Sequence, residues 1–124
     1  MRYLVTGASG HIGSNLVRVL DGEVDLFRRG DDLASFRRHY DVVFHLAAEQ
    51  YRADDLFESN VALTYRIISK LSFDKCIVAG SQGEYGRKQG PIRETDPLVP
   101  TRLHEATKAA SSLLSSGYAK STGR

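Results

Sequence analysis

The sequence predicts an α/β fold in which a parallel sheet is covered by helices on both faces. Four short apolar runs alternate with stretches of helical periodicity, and this alternation is typical of βαβ units. Three glycines at equal spacing stand where the first apolar run gives way to the first helical stretch. The chain has 124 residues, which suffices for one core and is too short for two ordinary domains. We therefore expect one domain over residues 1–124.

The apolar runs predict four strands. Strands of a parallel sheet are buried on both faces, so they form nearly continuous apolar segments instead of alternating patterns. The segments are Tyr3 to Thr6, Val24 to Phe27, Val42 to Leu46 and Cys76 to Ala79. Cys76 is the only cysteine, so an internal disulfide is excluded, and its place in an apolar run suits a small buried residue.

Apolar residues at steps of three and four predict the helices. The first helix would turn Ile12, Leu16, Val19 and Leu20 inward. The second runs from about Asp54 to Leu71, with its apolar face made of Leu56, Phe57, Val61, Thr64, Ile67, Ile68 and Leu71. The last runs from about Arg102 to Ala119, with an apolar side made of Leu103, Ala106, Ala110, Leu113, Leu114 and Tyr118.

Two connections are predicted between these elements. A short helix over Asp31 to Arg38 would turn Leu33 and Phe36 inward, although this connection is brief for a large enzyme. Glycine and proline interrupt the chain repeatedly from Gly80 to Pro100, which predicts a long loop, and loops of that length tend to be functional.

The glycine loop indicates a nucleotide-binding protein of the Rossmann type. Gly7 permits a tight turn, Gly10 lets the backbone approach a pyrophosphate, and Gly13 lets the helix pack closely on the strand. The free N–H groups at the start of the helix attract phosphates. No Gly-Lys-Ser/Thr ending follows, so a nucleoside triphosphatase loop is not supported. The expected phosphate-binding segment is Thr6-Gly7-Ala8-Ser9-Gly10-His11-Ile12-Gly13.

The choice between NADP and NAD depends on the residues after the second strand. Arg28 and Arg29 stand where a carboxylate would hold the ribose hydroxyls of NAD, and guanidinium groups there can hold the 2′-phosphate of NADP. Asp31 and Asp32 follow closely and would serve NAD instead. We favour NADP, with Arg28 as its ligand, and keep NAD and a merely solvated charge pair as alternatives.

Other functional classes receive little support. The formal net charge is only +2, and acidic residues separate the Arg28–Arg29 pair from Arg37 and Arg38, which does not favour nucleic acid. No signal segment and no apolar stretch of membrane-spanning length is present, so we expect a cytoplasmic protein without a membrane partner. No defensible set of metal ligands surrounds the histidines at 11, 39 and 45. The carboxylates of Glu84, Glu94 and Asp96 are expected to form turns or to be solvated.

Taken together, these segments resemble the extended short-chain dehydrogenase/reductase family, in particular its NAD(P)-dependent nucleotide-sugar epimerases and dehydratases. The resemblance runs from Arg2 to about Lys120. Besides the glycine loop, it rests on His45-Leu46-Ala47-Ala48, on Asn60-Val61 with Thr64, on Ser81 to Gly86 and on Glu94 to Pro100. It implies that Leu46, Ala47, Ala48 and Asn60 line the cofactor.

The resemblance also implies hydride transfer at a sugar carbon. Ser81 matches the family's catalytic hydroxyl and Lys108 its lysine, which also holds the cofactor ribose, but His104 stands where the tyrosine is expected. Histidine transfers protons near neutrality but is shorter than tyrosine, so His104 is an active proton carrier, a non-catalytic polar residue or part of a degenerate site. Gln82 and Gly83 replace the acidic pair of the dehydratases. This favours epimerisation or carbonyl reduction over elimination.

Family members continue past the catalytic helix with further strands and a sugar-binding portion. The resemblance therefore implies a sheet that is incomplete at its C-terminal side. It also implies a homodimer through the helices near 54–71 and 102–119, the alternative being that both helices pack only on the sheet. The expected function is an NAD(P)-dependent epimerase or reductase domain acting on a nucleotide sugar. The alternatives are a non-catalytic nucleotide- or partner-binding module and a remnant of such an enzyme.

Overall fold

The sheet has four parallel strands in a computed structural model that describes residues 1–124. The strands lie side by side in the order β2-β1-β3-β4. They are β1 (Arg2–Thr6), β2 (Glu23–Phe27), β3 (His39–His45) and β4 (Ser72–Val78). The four predicted strands are confirmed, but each begins earlier than its apolar run. The added residues include the charged Asp41, Asp74 and Lys75, which an apolar pattern does not detect.

Four α-helices and a π-helical turn surround the sheet. They are α1 (His11–Val19), α2 (Ala53–Leu56), the π-helical turn (Phe57–Ala62), α3 (Leu63–Lys70) and α4 (Leu103–Thr122). The predicted helix from Asp54 to Leu71 is therefore one helical segment whose middle is a π-turn. No helix is both long and apolar enough to cross a bilayer.

The prediction of a short helix over Asp31 to Arg38 is wrong. Only a 3₁₀ turn forms there, over Leu33–Ser35, and the Asp32 carboxylate caps it by accepting the Ala34 N–H at 2.9 Å. The turn ends because Phe36 leaves helical dihedral angles, with φ −90° and ψ 71°. Leu33 and Phe36 nevertheless pack against the core, as predicted. The loop from Gly80 to Pro100 is confirmed except for a 3₁₀ turn over Gln82–Tyr85.

Helices cover both faces of the sheet. In the sheet, β2 lies to one side of β1, and β4 lies to the opposite side of β3. Right-handed crossovers from β1 to β2 and from β3 to β4 therefore place α1 and α3 on opposite faces of the sheet. Leu4 and Val5, adjacent on β1 and therefore on opposite faces, are both fully buried. The core on the α3 face consists of Leu4, Tyr40, Val43, Ile67 and Leu71. Cys76 packs against this cluster, and burial raises the pKa of its thiol to about 11.

Three predicted helix faces need correction. Ile12 and Val19 on α1 are 66% and 76% exposed, whereas Gly13 is buried against the glycine loop. On α4, Leu103 and Leu113 are exposed, and the buried residues are Thr107, Lys108, Ala109 and Ser111. The inner side of α4 is polar because it is joined to α3 and the preceding π-turn by hydrogen bonds, and apolar periodicity cannot reveal such an interface. Phe57, predicted to face inward, is also exposed.

The strand order shows which part of the usual fold is missing. Doubly wound dinucleotide-binding sheets have the order 3-2-1-4-5-6, and β2-β1-β3-β4 corresponds to 2-1-4-5 of that order. The strand that normally lies outside β2 has no counterpart, because only residues 28–38 connect β2 to β3. This brief connection leaves the end of β2 open beside the glycine loop.

Candidate functional site

The predicted site residues gather along one edge of the sheet. Arg28 follows β2, the glycine loop follows β1, residues 46–48 follow β3, and Ser81 follows the end of β4. The carboxyl ends of parallel strands meet at one edge, so the strand order places these segments in a row. With about 4.8 Å between neighbouring strands, the row extends about 14 Å from β2 to β4. The arrangement suits an extended ligand laid across the strand ends.

Two of the glycines are required by close packing. Gly7 has φ +72°, and a Cβ there would lie 2.7 Å from the Ala47 nitrogen and 2.8 Å from the Leu46 carbonyl carbon. At Gly13 a Cβ would lie 2.3 Å from the Gly7 oxygen. The loop is therefore pressed between the end of β3 and the first turn of α1. These contacts confirm the tight turn and the close helix packing that the spacing predicts.

Gly10 differs because it borders open space. Its backbone is extended, and a Cβ there would meet only the Gly7 oxygen, at 3.3 Å. The first helical hydrogen bond runs from the Ser14 N–H to the Gly10 carbonyl oxygen, so the N–H groups of residues 11–13 precede it. No side chain caps this helix end, and no acidic residue stands in its first turn. An uncapped helix N-terminus above an open glycine fits the pyrophosphate of a dinucleotide.

The surroundings of this helix end are accessible. Ser9, His11 and Ile12 all have exposed side chains beside the open space at Gly10. A ligand can therefore approach these three residues from solvent without displacing a packed side chain. That they contact the cofactor stays a prediction.

One guanidinium beyond β2 is free. Arg28 contributes only its backbone N–H, which donates to Asp31 at 2.7 Å, while its exposed side chain makes no hydrogen bond or ion pair. Asp31 and Asp32 hold the following turn together through main-chain N–H groups. Arg29 forms an ion pair with Glu49 at 3.4 Å, which joins the segment after β2 to the segment after β3. Arg28 is thus the cation that remains available to a phosphate.

Glu49 organises the segment that follows β3. Its Oε1 atom accepts the N–H groups of Gln50, Tyr51 and Arg52 at 3.0–3.2 Å. These hydrogen bonds lower the pKa of the buried Glu49 carboxyl to about 2, with a smaller contribution from Arg29. The carboxylate therefore stays charged and fixes the start of α2.

Asn60 also fixes the segment that follows β3. It is buried in the π-turn, accepts the Glu49 N–H at 2.8 Å, and donates to the Glu49 carbonyl oxygen at 2.9 Å and to the Thr107 hydroxyl at 3.0 Å. These bonds occupy the acceptor and both donors of its amide. A direct contact between Asn60 and the cofactor stays a prediction.

A buried chain of hydrogen bonds runs beneath the glycine loop. His45 on β3 contacts the Thr6 hydroxyl through Nδ1 at 2.7 Å and the Thr64 hydroxyl through Nε2 at 2.9 Å. Thr64 donates to the Asn60 carbonyl oxygen and so must accept from His45, which assigns the ring proton to Nε2 and makes the Thr6 hydroxyl the donor to Nδ1. Burial, with a contribution from Lys108, lowers the pKa of His45 to about 4. The histidine is therefore neutral at pH 7.

The residues predicted to carry the reaction lie at the opposite end of the row. Ser81 and His104 line a common cleft of about 510 Å³ with Gln50, Tyr51, Gln82, Gly83, Gly86, Arg102 and Glu105. Ser81 accepts the Gly83 N–H at 3.2 Å. Lys108, one helical turn from His104, is buried behind the cleft and donates to the Ala79 carbonyl oxygen. The structure thus joins Ser81 to His104 and leaves Lys108 in a supporting position.

Glu84 forms a turn, which is one of the two outcomes expected for it, but it is not solvated. Its Oε1 atom accepts the Ser81 N–H at 2.7 Å, and the residue is only 5% exposed. Asp96 is half-buried and paired with Lys88, whereas Glu94 is exposed as expected. An acidic residue in a glycine-rich loop carries no sequence signal of burial, so the charge near Lys108 was not predictable.

The cleft carries one charge of each sign, on Arg102 and on Glu105. The Arg102 guanidinium has no acidic partner within ion-pair distance, whereas the Glu105 carboxylate accepts the N–H groups of Thr101 and Arg102 at 3.1 Å. Those bonds lower the pKa of Glu105 and engage its charge with the start of α4. The positive charge of Arg102 also contributes to lowering the pKa of Glu105, so the two charges partly offset each other at the cleft.

Comparison with known proteins adds independent information. A model of the NAD dependent epimerase/dehydratase family matches residues 3–124. A probable dTDP-glucose 4,6-dehydratase of Sinorhizobium fredii is 27% identical over an alignment of 176 residues that takes in 99% of this chain and 50% of that protein. The alignment is longer than the chain, so the relative has additional residues inside the aligned region.

Solved structures agree with this match. A UDP-galactose 4-epimerase superposes with a TM-score of 0.84 and 26% identity over 99% of this chain and 53% of its own. MoeE5, in complex with UDP-glucuronic acid and NAD, gives a TM-score of 0.83 and 26% identity over 96% of this chain and 50% of its own. The chain therefore spans about half the length of the proteins it matches.

Proposed function

The chain belongs to the NAD dependent epimerase/dehydratase family, and we propose that it binds NADP or NAD and acts in the epimerisation or reduction of a nucleotide sugar. One observation carries this proposal. The uncapped start of α1, open at Gly10, and the cleft of Ser81 and His104 lie along the same edge of the sheet. A dinucleotide laid across that edge extends from the phosphate-binding end to the reaction end.

The residues along the edge fit the parts of a dinucleotide. The N–H groups of residues 11–13 would hold the pyrophosphate above Gly10, with Ser9 and His11 beside it, and residues 46–48 would form the floor. Arg28 would hold a 2′-phosphate, and Lys108 would hold the ribose at the reaction end. When bound, the nicotinamide supplies reversible hydride transfer. The protein residues bind and orient the ligands and move the proton.

Three side chains support the reaction at the cleft. The Ser81 hydroxyl accepts the Gly83 N–H, which leaves its proton free to donate to a substrate carbonyl oxygen. His104 would give or take the proton of the reacting hydroxyl. Arg102 provides positive charge for a sugar joined to a diphosphate. Gln82 and Gly83 offer no acid and base pair, so elimination of water is not supported.

Replacing Arg28 with alanine tests the cofactor assignment. We expect NADP affinity to fall by about tenfold or more, because charge-assisted hydrogen bonds contribute about 1.5–3 kcal/mol. NAD affinity should hardly change, since NAD lacks the 2′-phosphate. Calorimetric titration with both cofactors measures these affinities. The matched control is Arg18→Ala, because Arg18 is an exposed residue of α1. Equal loss for both cofactors, or no loss, would refute an Arg28–phosphate contact.

The second candidate is a non-catalytic cofactor-binding module, which is favoured by the histidine at position 104. If His104 carries the proton, His104→Phe should lower turnover of a UDP-sugar by about 100-fold or more, whereas His104→Tyr should retain it. Absorbance of the reduced nicotinamide and chromatography of the sugar products measure turnover. A chain that binds cofactor but shows no turnover, either as wild type or as His104→Tyr, would be the non-catalytic module.

A homodimer is proposed through the helices near 54–71 and 102–119. Tyr65 on α3 and Tyr118 on α4 stack edge to face at 6.4 Å, and Tyr65 and Leu113 expose apolar surface on the same side of the sheet. These helices therefore keep an apolar side after packing on the sheet. Sedimentation velocity that shows only monomer at high concentration would rule the dimer out.

A further inference from the structure

Two buried charges of opposite sign hold the loop that carries Ser81. Lys108 is 6% exposed and Glu84 is 5% exposed. Lys108 donates to the carbonyl oxygen of Ala79, and Glu84 accepts the N–H of Ser81 at 2.7 Å. Between these contacts lies Gly80, where a Cβ would stand 3.0 Å from the Glu84 Oε1 atom. Residues 79–81 are therefore fixed from α4 on one side and from the 3₁₀ turn on the other.

Glu84 is the carboxylate whose charge acts on Lys108; the two side chains meet the same residues 79–81 without being in ion-pair contact with each other. A buried ammonium without a counter-charge is costly, and the titratable groups facing Lys108 are His45 from β3 and Glu84 from the 3₁₀ turn. His45 is neutral at pH 7, and His104 on the same helix faces the cleft. Burial lowers the pKa of Lys108, and the Glu84 carboxylate acts against this. Only Glu84 therefore favours the charged lysine.

We propose that Glu84 is a positioning residue that keeps Lys108 charged and, with it, holds residues 79–81 in the form that presents Ser81 to the cleft. The roles of Lys108 and Ser81 in this statement rest on the proposed function. The two contacts with residues 79–81 do not, because both exist in the protein without cofactor.

Glu84→Gln tests the effect of the negative charge at position 84 while nearly keeping the shape of the side chain. Glu84→Gln keeps an oxygen to accept the Ser81 N–H but removes the negative charge. The matched control is Glu94→Gln, which removes one exposed carboxylate from the same long loop. The cofactor-free chain, labelled with ¹³C-lysine, is titrated by NMR while the Lys108 Cε resonance is followed, with Lys108→Met to assign it. We expect the Lys108 midpoint to move to lower pH in Glu84→Gln and to stay unchanged in Glu94→Gln.

The Lys108→Met variant gives a second measurement, which remains informative even if Glu84→Gln does not fold. If the two groups together hold residues 79–81, the Ser81 amide hydrogen should exchange faster in Lys108→Met than in the wild type, although its acceptor Glu84 is unchanged. An unchanged midpoint in a folded Glu84→Gln, or unchanged exchange at Ser81 in Lys108→Met, would overturn the proposal.

Cofactor binding provides the functional readout. NADP binding should weaken as pH rises and Lys108 loses its proton. In Glu84→Gln this weakening should begin at a lower pH, because Lys108 loses its proton at a lower pH. A merely structural role would lower the affinity equally at all pH values. Wild-type chain that binds neither NADP nor NAD would refute the proposed function, whereas the NMR titration would still decide whether Glu84 and Lys108 interact.

Discussion

A valine at position 10 should reduce the binding of NADP and NAD by at least about 100-fold, or about 2.7 kcal/mol, while the chain keeps its fold. The open space at Gly10 is where the pyrophosphate would lie, and the valine methyl groups would fill it. The folded protein tolerates the change, since the backbone there is extended and an added Cβ meets a single oxygen at 3.3 Å. The loss of stability at this N-cap should stay within about 1 kcal/mol.

Gly13→Ala is the informative comparison, because its main effect should be to destabilise the folded chain. Its Cβ would lie 2.3 Å from the Gly7 oxygen and 2.8 Å from the Ala8 Cα, and neither backbone atom can move freely. Overpacking of this kind costs about 1–3 kcal/mol or more. Thermal unfolding and calorimetric titration of both variants separate the two effects. Unimpaired cofactor binding by Gly10→Val would mean that the phosphates do not lie at the start of α1.

Local patterns explain what the sequence predicts correctly. The strands and the glycine loop depend on neighbours along the chain, so apolar runs and the spacing of Gly7, Gly10 and Gly13 locate them. The helix faces were less predictable, because burial depends on which element lies opposite. Ile12 has no covering element, and α4 buries Thr107 and Ser111 because they bond to the π-turn and α3.

Residues of the candidate site could be named from the sequence where a motif carries them, and contacts made by single residues could not. The resemblance identified Ser81 and His104, and the structure places both on one cleft. The ion pair between Arg29 and Glu49 joins residues that are 20 positions apart. Glu84 is likewise an ordinary residue in a loop. Only the folded chain shows that its charge is buried near Lys108.

The largest effect on stability should come from pH acting on His45. Its pKa is about 4 in the folded chain and 6.5 when unperturbed, so between these values the unfolded chain binds the extra proton. A doubly protonated ring would set Nδ1–H against the donating Thr6 hydroxyl at a buried position. The stabilisation is therefore complete above pH 6.5 and is lost as pH falls toward 4. At about 1.4 kcal/mol per pKa unit, the total is about 3 kcal/mol.

Urea unfolding between pH 7 and pH 5 isolates this effect. We expect the free energy of unfolding to fall by about 2 kcal/mol over that range. Glu49 contributes little over that range. Its pKa falls from 4.5 to about 2 in the folded chain, so the stability it adds is lost only as pH falls below 4.5. His45→Gln should be less stable at pH 7 but nearly insensitive to pH, whereas His39→Gln, at an exposed histidine, should keep the wild-type dependence. A wild-type free energy of unfolding that stays constant from pH 7 to pH 5 would show that the folded chain accommodates protonated His45. The chain of hydrogen bonds from Thr6 to Ser111 would then have to be rearranged in acid.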